Sequence, residues 1–164
     1  MSAHHILGVL EDDEQRLWAT LDRAIALADA ERARLTLAKT TDPGWMMRWF
    51  GSAGLNAMCV SSDLLDLRTS ASHKLARAAE FVPACVPVTT LLLSESTPSA
   101  LMELVRRGHH DVLVVTDALL GRSRRLRREL EREDVRIVLV PGRPAPTADI
   151  LAGDADGQPA KARA

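Results

Sequence analysis

The stretch ILGVLEDDEQ, residues 6–15, decides the fold, because an apolar run turns here directly into an acidic helix start. Residues 6–10 form a short apolar run, which is typical of a buried strand. Asp12 can then cap a helix, with Gln15 three residues later reaching back as in a capping box. Apolar side chains follow at helical spacing, namely Leu17, Leu21, Ile25 and Ala28. The stretch therefore predicts a strand followed by an amphipathic helix.

The same alternation continues along the chain. Further apolar runs predict strands at residues 35–38, 86–93, 112–115 and 135–140. Helical spacing predicts helices at residues 63–79 and 121–133. A third helix is expected between Thr97, its N-cap before Pro98, and Gly108, which ends it. Five strands alternating with four helices favour an α/β fold: a doubly wound, mostly parallel sheet with helices on both faces.

Composition sets the class of protein. The 164 residues include 21 basic and 22 acidic side chains, so the net charge of −1 gives no case for a nucleic-acid or membrane partner. No secretory signal and no long apolar run is present, which predicts a cytoplasmic protein. Residues 142–164 are rich in Gly, Pro and Ala, so we expect a flexible tail after one domain at residues 1–141.

Several segments resemble the universal stress protein family. The resemblance covers residues 4–141 and rests on element order and on four segments: Ile6–Glu11, Arg34–Leu37, Asp111–Val115 and Val135–Val140. It implies the strand order 3-2-1-4-5 and a homodimer formed through the last strand. The residues expected at that interface are Val135, Ile137, Val138, Leu139 and Val140.

The chain departs from the pattern of the ATP-binding members of that family. These members follow the fourth strand with Gly-x2-Gly-x9-Gly-Ser/Thr, where glycine lets backbone N–H groups approach the phosphates. The corresponding positions here are Thr116, Leu119, Glu129 and Leu130. None of them fits, so we expect no ATP and no other cofactor bound in the manner of the family.

The fold also predicts where a ligand site would lie. Ligands of doubly wound sheets bind beyond the carboxyl ends of the strands at the switch point, here between strands 1 and 4. The residues expected at that edge are Glu11, Asp12, Thr40, Thr116 and Asp117. The alternative interpretation is that Asp12 caps a helix and that the other carboxylates are solvated.

An arginine cluster at residues 122–128 stands beside this edge in the sequence. Arg122, Arg124 and Arg125 could hold an anionic ligand through bidentate hydrogen bonds. The alternative is a solvated helix face whose arginines pair with nearby glutamates. No aromatic residue accompanies the cluster, so it does not indicate nucleic-acid binding.

Two other features carry chemistry. The segment Trp45, Met46, Met47, Trp49 and Phe50 holds three of the five aromatic residues and predicts either a lid or partner surface, or a cover on the domain's own sheet edge. The pairs His4-His5 and His109-His110 would meet at the amino edge of the sheet, but turn histidines are common, and we predict no metal site.

The residues indicate no catalytic centre. Neither a Ser-His-Asp elbow nor an oriented Cys-His pair is present. A phosphoacceptor domain needs Asp after strand 3 and Lys after strand 5, where this chain has Ser94-Glu95 and Pro141-Gly142. We therefore expect a non-catalytic regulatory dimer acting through protein contacts. The alternative is a small-molecule sensor that binds an anionic ligand through residues 122–128.

Overall fold

The computed structural model describes residues 4–40, 57–93, 98–121 and 123–142. The predicted segment at residues 45–50 lies outside these ranges, and so does the predicted tail beyond Gly142. The elements are β1 (His5–Leu10), α1 (Glu14–Glu31), β2 (Arg34–Thr40), α2 (Ala57–Glu80), β3 (Val88–Leu93), α3 (Pro98–Arg107), β4 (Val112–Thr116), α4 (Asp117–Gly121), α5 (Arg124–Arg132) and β5 (Arg136–Val140).

The five strands form one parallel sheet in the order β3-β2-β1-β4-β5. In the centre, Leu7 of β1 lies opposite Thr36 of β2 and opposite Leu113 of β4. The predicted fold class and strand order are both confirmed. Because all strands run the same way, their carboxyl ends meet at one edge of the sheet, and β3 and β5 form its two sides.

Helices cover the sheet on both faces. On one face, Ile6 and Leu10 of β1 pack against Leu21 and Ala24 of α1. On the other, Leu7 and Val9 belong to a second cluster, which α3, α4 and α5 complete. Gly8 permits the close packing of α1, since a Cβ atom there would lie 3.3 Å from the Cβ of Ala24. Each fully buried leucine contributes roughly 1.5–3 kcal/mol. Within the described ranges, no helix is long and apolar enough to cross a membrane.

The cap of α1 differs from the prediction by one residue. Asp13, and not Asp12, is the N-cap, and its side chain accepts a hydrogen bond of 3.0 Å from the backbone N–H of Arg16. Asp13 has extended backbone dihedrals directly before Glu14, as an N-cap requires. Asp12 is left available for another contact.

The segment after β4 also differs from the prediction. One helix at 121–133 was expected, but α4 begins directly at Asp117 and a second helix, α5, begins at Arg124. Ser123 separates them, because its side chain accepts a hydrogen bond from the N–H of Leu126 and so caps α5. Val135, predicted within the last strand, precedes β5.

The remaining boundaries shift by a few residues. β2 extends over 34–40 where 35–38 was predicted, and β3 begins at residue 88 where 86 was predicted. β4 runs one residue further than predicted, to Thr116, and α2 begins at 57 where 63 was expected. The predicted boundaries rest on the apolar pattern alone. They differ from the observed ones because the ends of an element depend on tertiary contacts more than on that pattern.

Gly108, in the turn after α3, differs in its role from the prediction. Gly108 follows the helix as predicted, but the left-handed residue is His109, with φ 49°. A Cβ atom on Gly108 would lie 1.9 Å from the ring of His110, so glycine here makes room for that buried ring. The Nδ1 atom of His110 lies 3.3 Å from the carbonyl oxygen of Leu104, which requires Nδ1 to carry a proton and donate.

The histidine pairs meet at the amino edge of the sheet. The rings of His5 and His110 are 6.2 Å apart, and Nδ1 of His5 lies 3.1 Å from the carbonyl oxygen of Gly108. Asp111 accepts a hydrogen bond from the backbone N–H of His5. Among the described residues, no group of three or more side chains is arranged to hold a metal ion.

The buried ring makes stability depend on pH. Burial lowers the pKa of His110 below its ordinary value of 6.5. The unfolded chain therefore binds a proton at His110 more readily than the folded chain does. We expect the free energy of unfolding to keep its full value with respect to His110 above about pH 6.5. It should fall as the pH drops towards the folded pKa, by at most about 1.4 kcal/mol per pH unit. Urea unfolding between about pH 5 and about pH 7 measures it.

The control for this prediction is His110→Gln, which keeps a donor for the Leu104 carbonyl and removes the titration. The free energy of unfolding of this variant should change less with pH than that of the parent chain. Equal pH dependence in the two chains would show that His110 is not responsible.

Candidate functional site

The candidate site lies at the carboxyl ends of β1 and β4. These strands are neighbours in the sheet, and from them the chain continues to opposite sides, to β2 and to β5. This is the switch point at which doubly wound sheets hold their ligands. Glu11 directly follows β1, and Thr116 is the last residue of β4.

A hydrogen bond between these two side chains spans the switch point. The hydroxyl of Thr116 donates to Oε2 of Glu11 over 2.8 Å, and both side chains are buried. The same hydroxyl oxygen accepts from the backbone N–H of Leu119 and so ties α4 to the contact. A guanidinium nitrogen of Arg16 lies 3.7 Å from the Glu11 carboxylate. The buried carboxylate is therefore both hydrogen-bonded and charge-compensated, as burial requires.

Lys39 is a member of the site that the sequence analysis missed. Its side chain has no exposed surface, and its ammonium donates to the carbonyl oxygen of Glu11 at 3.1 Å and to Oδ1 of Asp12 at 2.8 Å. Lys74 of α2 donates to the carbonyl oxygen of Asp12. Two lysines from two elements therefore fix the turn after β1. Only the strand register reveals this role, since Lys39 pairs with Leu10, the residue before Glu11.

A second bridge lies on the other side of the crevice. The Nε of Arg16 donates to the carbonyl oxygen of Gly142 at 3.0 Å, and the N–H of Gly142 donates to Oδ1 of Asp117 at 2.7 Å. The start of α1, the second residue after β5 and the start of α4 are thereby joined. An open cleft of about 630 Å³ is lined by Asp13, Gln15, Arg16, Asp117, Ala118 and Gly142.

The structure brings together four of the predicted ligand residues: Glu11, Asp12, Thr116 and Asp117. The backbone of Thr40 ends β2, but its side chain and the whole of Arg122 lie outside the described residues. Arg124 and Arg125 are exposed on α5, and no described contact joins them to the other four. The hydrogen bond from Arg125 to Glu129 raises the pKa of that guanidinium.

Three of the four positions of the family's glycine motif lie in helices, and the first, Thr116, ends β4. Leu119 lies in α4, and Glu129 forms an ion pair with Arg125 at 2.8 Å. Leu130, where the motif has its hydroxyl, is completely buried in the core. The backbone N–H of Leu119 donates to the Thr116 hydroxyl, and Glu129 and Leu130 lie within α5, where the motif uses a phosphate-binding loop.

Comparison with known proteins gives matches in structure only. No protein-family model and no curated protein sequence matches this chain. The universal stress protein UspA from Lactobacillus plantarum is 16% identical, with a TM-score of 0.62 over 85% of this chain and 99% of that one. A protein of the universal stress protein family from Burkholderia pseudomallei is 18% identical, with a TM-score of 0.60 over 84% and 95%.

A third similar structure contains a nucleotide. It is a universal stress protein from Archaeoglobus fulgidus in complex with dAMP, 10% identical, with a TM-score of 0.56 over 85% of this chain and 98% of that one. All three likenesses lie at low identity and concern the fold. The chain has the fold of the universal stress proteins, which confirms at the level of the fold the resemblance found in the sequence.

Proposed function

We propose that this chain is a non-catalytic regulatory protein that acts through protein contacts and does not hold ATP at the switch point of its sheet. The hydrogen bond from Thr116 to Glu11 carries this proposal. It occupies the crevice between β1 and β4 with the chain's own buried side chains, and a helix follows β4 directly. The carboxylates of Asp13 and Asp117 beside the cleft would also repel a triphosphate.

Thermal unfolding with nucleotides tests this proposal, and the dAMP-bound structure of a similar fold makes it the first experiment. We expect ATP, ADP, AMP and cyclic AMP, with or without Mg²⁺, to change the melting temperature by less than about 1 °C. A ligand at a hundred times its Kd would add about 2.7 kcal/mol and raise the midpoint by several degrees.

A saturable shift with any of these nucleotides would contradict the proposal. It would favour the alternative function, a sensor of small anionic ligands. The cleft beside Arg16 is where such a ligand would first be sought, and the predicted ligand residues Arg122, Arg124 and Arg125 would be tested next by substitution.

The homodimer belongs to the same proposal, and the exposed edge of β5 supports it. Among the described strands, β5 pairs only with β4, so its outer edge presents unpaired backbone groups. Ile137 and Val138 are half-buried, and Leu139 is 52% exposed. A cleft lined by Ala19, Asp22, Arg23, Ala26, Leu139, Val140 and Pro141 runs beside this strand. A second copy related by a two-fold axis would cover both the edge and the cleft.

Sedimentation equilibrium of the chain tests the dimer. We expect a mass of twice 17.9 kDa for the parent chain and a shift towards monomer for Leu139→Lys, because a charge would then be buried at the interface. Leu65→Lys is the matched control, since Leu65 is 64% exposed on α2, away from β5. A monomeric parent chain, or equal loss of dimer in both variants, would contradict the β5 interface. The segment at residues 45–50 stays the predicted surface for a different protein partner.

A further inference from the structure

Among the described residues, the surface formed by α3, α5 and the turn after α5 carries seven arginines and five carboxylates. Each of the four glutamates there already forms an ion pair with one arginine. The pairs are Glu103–Arg107, Glu129–Arg125, Glu131–Arg127 and Glu133–Arg106. These four ion pairs neutralise four of the seven arginines, and Asp134 forms no ion pair among the described residues.

Three arginines of α5 remain. Arg124, Arg128 and Arg132 are exposed, and no carboxylate among the described residues pairs with any of them. They recur at every fourth position, on the side of the helix opposite the buried Leu126 and Leu130. At a rise of 1.5 Å per residue they form a row about 12 Å long with steps of about 6 Å. We call this row the arginine stripe.

The arginine stripe opposes the stability of its own helix. Like charges four residues apart repel each other. Arg124 also lies in the first turn, where the helix dipole disfavours a positive charge. Glu131 lies three residues after Arg128 and Glu129 three residues before Arg132, but both pair with other arginines. A row of three exposed guanidinium groups with no ion pair among the described residues is available to an external anion.

We propose that the arginine stripe binds an acidic segment of a partner protein, with carboxylates about 6–7 Å apart. A protein segment supplies this spacing from every fourth residue of a helix or from every second residue of an extended chain. Guanidinium groups bind carboxylates in a bidentate manner. The proposal rests on the proposed action through protein contacts, and it names the chemistry of one partner.

Two observations favour a protein over a nucleic acid. The sequence of α5, RRLRRELER, has no aromatic side chain on which a base could stack. The whole chain has a net charge of −1, so the chain without the three positive charges of the stripe carries −4. A long polyanion would extend beyond the stripe and be repelled by the negative charge of the rest of the chain. A short acidic segment contacts the stripe alone.

Fluorescence anisotropy with labelled poly-L-glutamate of about 20 residues, short enough to contact mainly the stripe, tests the proposal on the full chain in about 50 mM NaCl. The stripe variant carries Arg124→Gln, Arg128→Gln and Arg132→Gln. The control variant carries Arg32→Gln, Arg34→Gln and Arg68→Gln, which removes three exposed charges from other elements. A DNA duplex of about the same net charge is the second probe.

We expect the parent chain to bind poly-L-glutamate, and the stripe variant to bind it at least about tenfold more weakly. The control variant should stay within about twofold of the parent chain, and about 500 mM NaCl should abolish binding. Replacing the three stripe residues by lysine should retain binding. The melting temperature of the stripe variant should be no lower than that of the parent chain, because repulsion within α5 is relieved.

Three results would overturn the inference: no binding by the parent chain, equal weakening in the stripe and control variants, or tighter binding to the duplex than to poly-L-glutamate. These results are separable from a failure of the proposed function. A chain that binds ATP or sediments as a monomer contradicts the proposed function, whatever the arginine stripe binds.

Discussion

Replacing Lys39 with alanine is expected to lower the free energy of unfolding by about 3 kcal/mol. The side chain is completely buried, so truncation leaves a cavity where its three outer methylene groups and its ammonium lay. The carbonyl oxygen of Glu11 also loses its hydrogen bond from the ammonium. Urea unfolding followed by circular dichroism at pH 7 measures the change.

Two further variants separate the causes. Lys39→Met keeps the aliphatic stem and removes only the ammonium, so we expect a loss of about 1–2 kcal/mol. Lys74→Ala removes the other lysine that contacts Asp12, but its side chain is 42% exposed, and we expect less than about 1 kcal/mol. If Lys39→Ala destabilises the chain no more than Lys74→Ala does, the buried ammonium does not hold the turn after β1.

The second large effect is expected at Thr116. Thr116→Val keeps the shape of the side chain but removes the hydroxyl that donates to Glu11 and accepts from Leu119. The Glu11 carboxylate then stays buried, with the guanidinium of Arg16 as its remaining ion-pair partner among the described residues. We expect the free energy of unfolding to fall by about 2–3 kcal/mol, because hydrogen bonds to charged groups contribute more than neutral ones. Thr90→Val, at an exposed position of β3, is the matched control and should change little.

A double-mutant cycle tests whether Thr116 and Glu11 act as a pair. Thr116→Val removes the donor and Glu11→Met the acceptor of the same contact, so their combined effect should be smaller than the sum of the single effects by about 1 kcal/mol or more. Additive effects would show that the hydrogen bond across the switch point contributes nothing to stability.

The fold could be predicted because local pattern and global order agree. The apolar run at residues 6–10, the acidic turn and the helical spacing after it specify a βα unit, and the alternation repeats to the last strand. The resemblance to the universal stress proteins supplied the strand order, which alternation alone leaves open. The structure confirms both.

The site was predictable only in part, because its contacts depend on register and not on local pattern. The edge residues Glu11 and Thr116 follow from strand ends, and they do meet. In the sequence, Lys39 is one polar residue directly after the strand predicted at residues 35–38, and only its pairing opposite Leu10 places it beside the acidic turn. The choice of Asp13 over Asp12 as helix cap likewise follows from the contact of Asp12 with Lys39.

The ion pairs of the arginine cluster could likewise not be predicted from local sequence. The run at residues 122–128 is visible in the sequence, but which arginines are neutralised depends on which glutamates lie within reach. Arg125 and Arg127 find partners four residues later on their own helix, and Arg106 reaches Glu133 from α3. The unpaired row at Arg124, Arg128 and Arg132 appears only once these pairs are known.

The central claim is that the chain closes the switch point with its own side chains. An NMR titration of the ¹⁵N-labelled chain with Mg·ATP tests it most directly, because the amides of Leu119 and Gly142 donate to Thr116 and Asp117 at that site. We predict that neither amide signal moves up to about 1 mM ATP, the range of a weak ligand. Saturable shifts of both signals would contradict the account, since they would place the nucleotide in the crevice that Thr116 and Glu11 span.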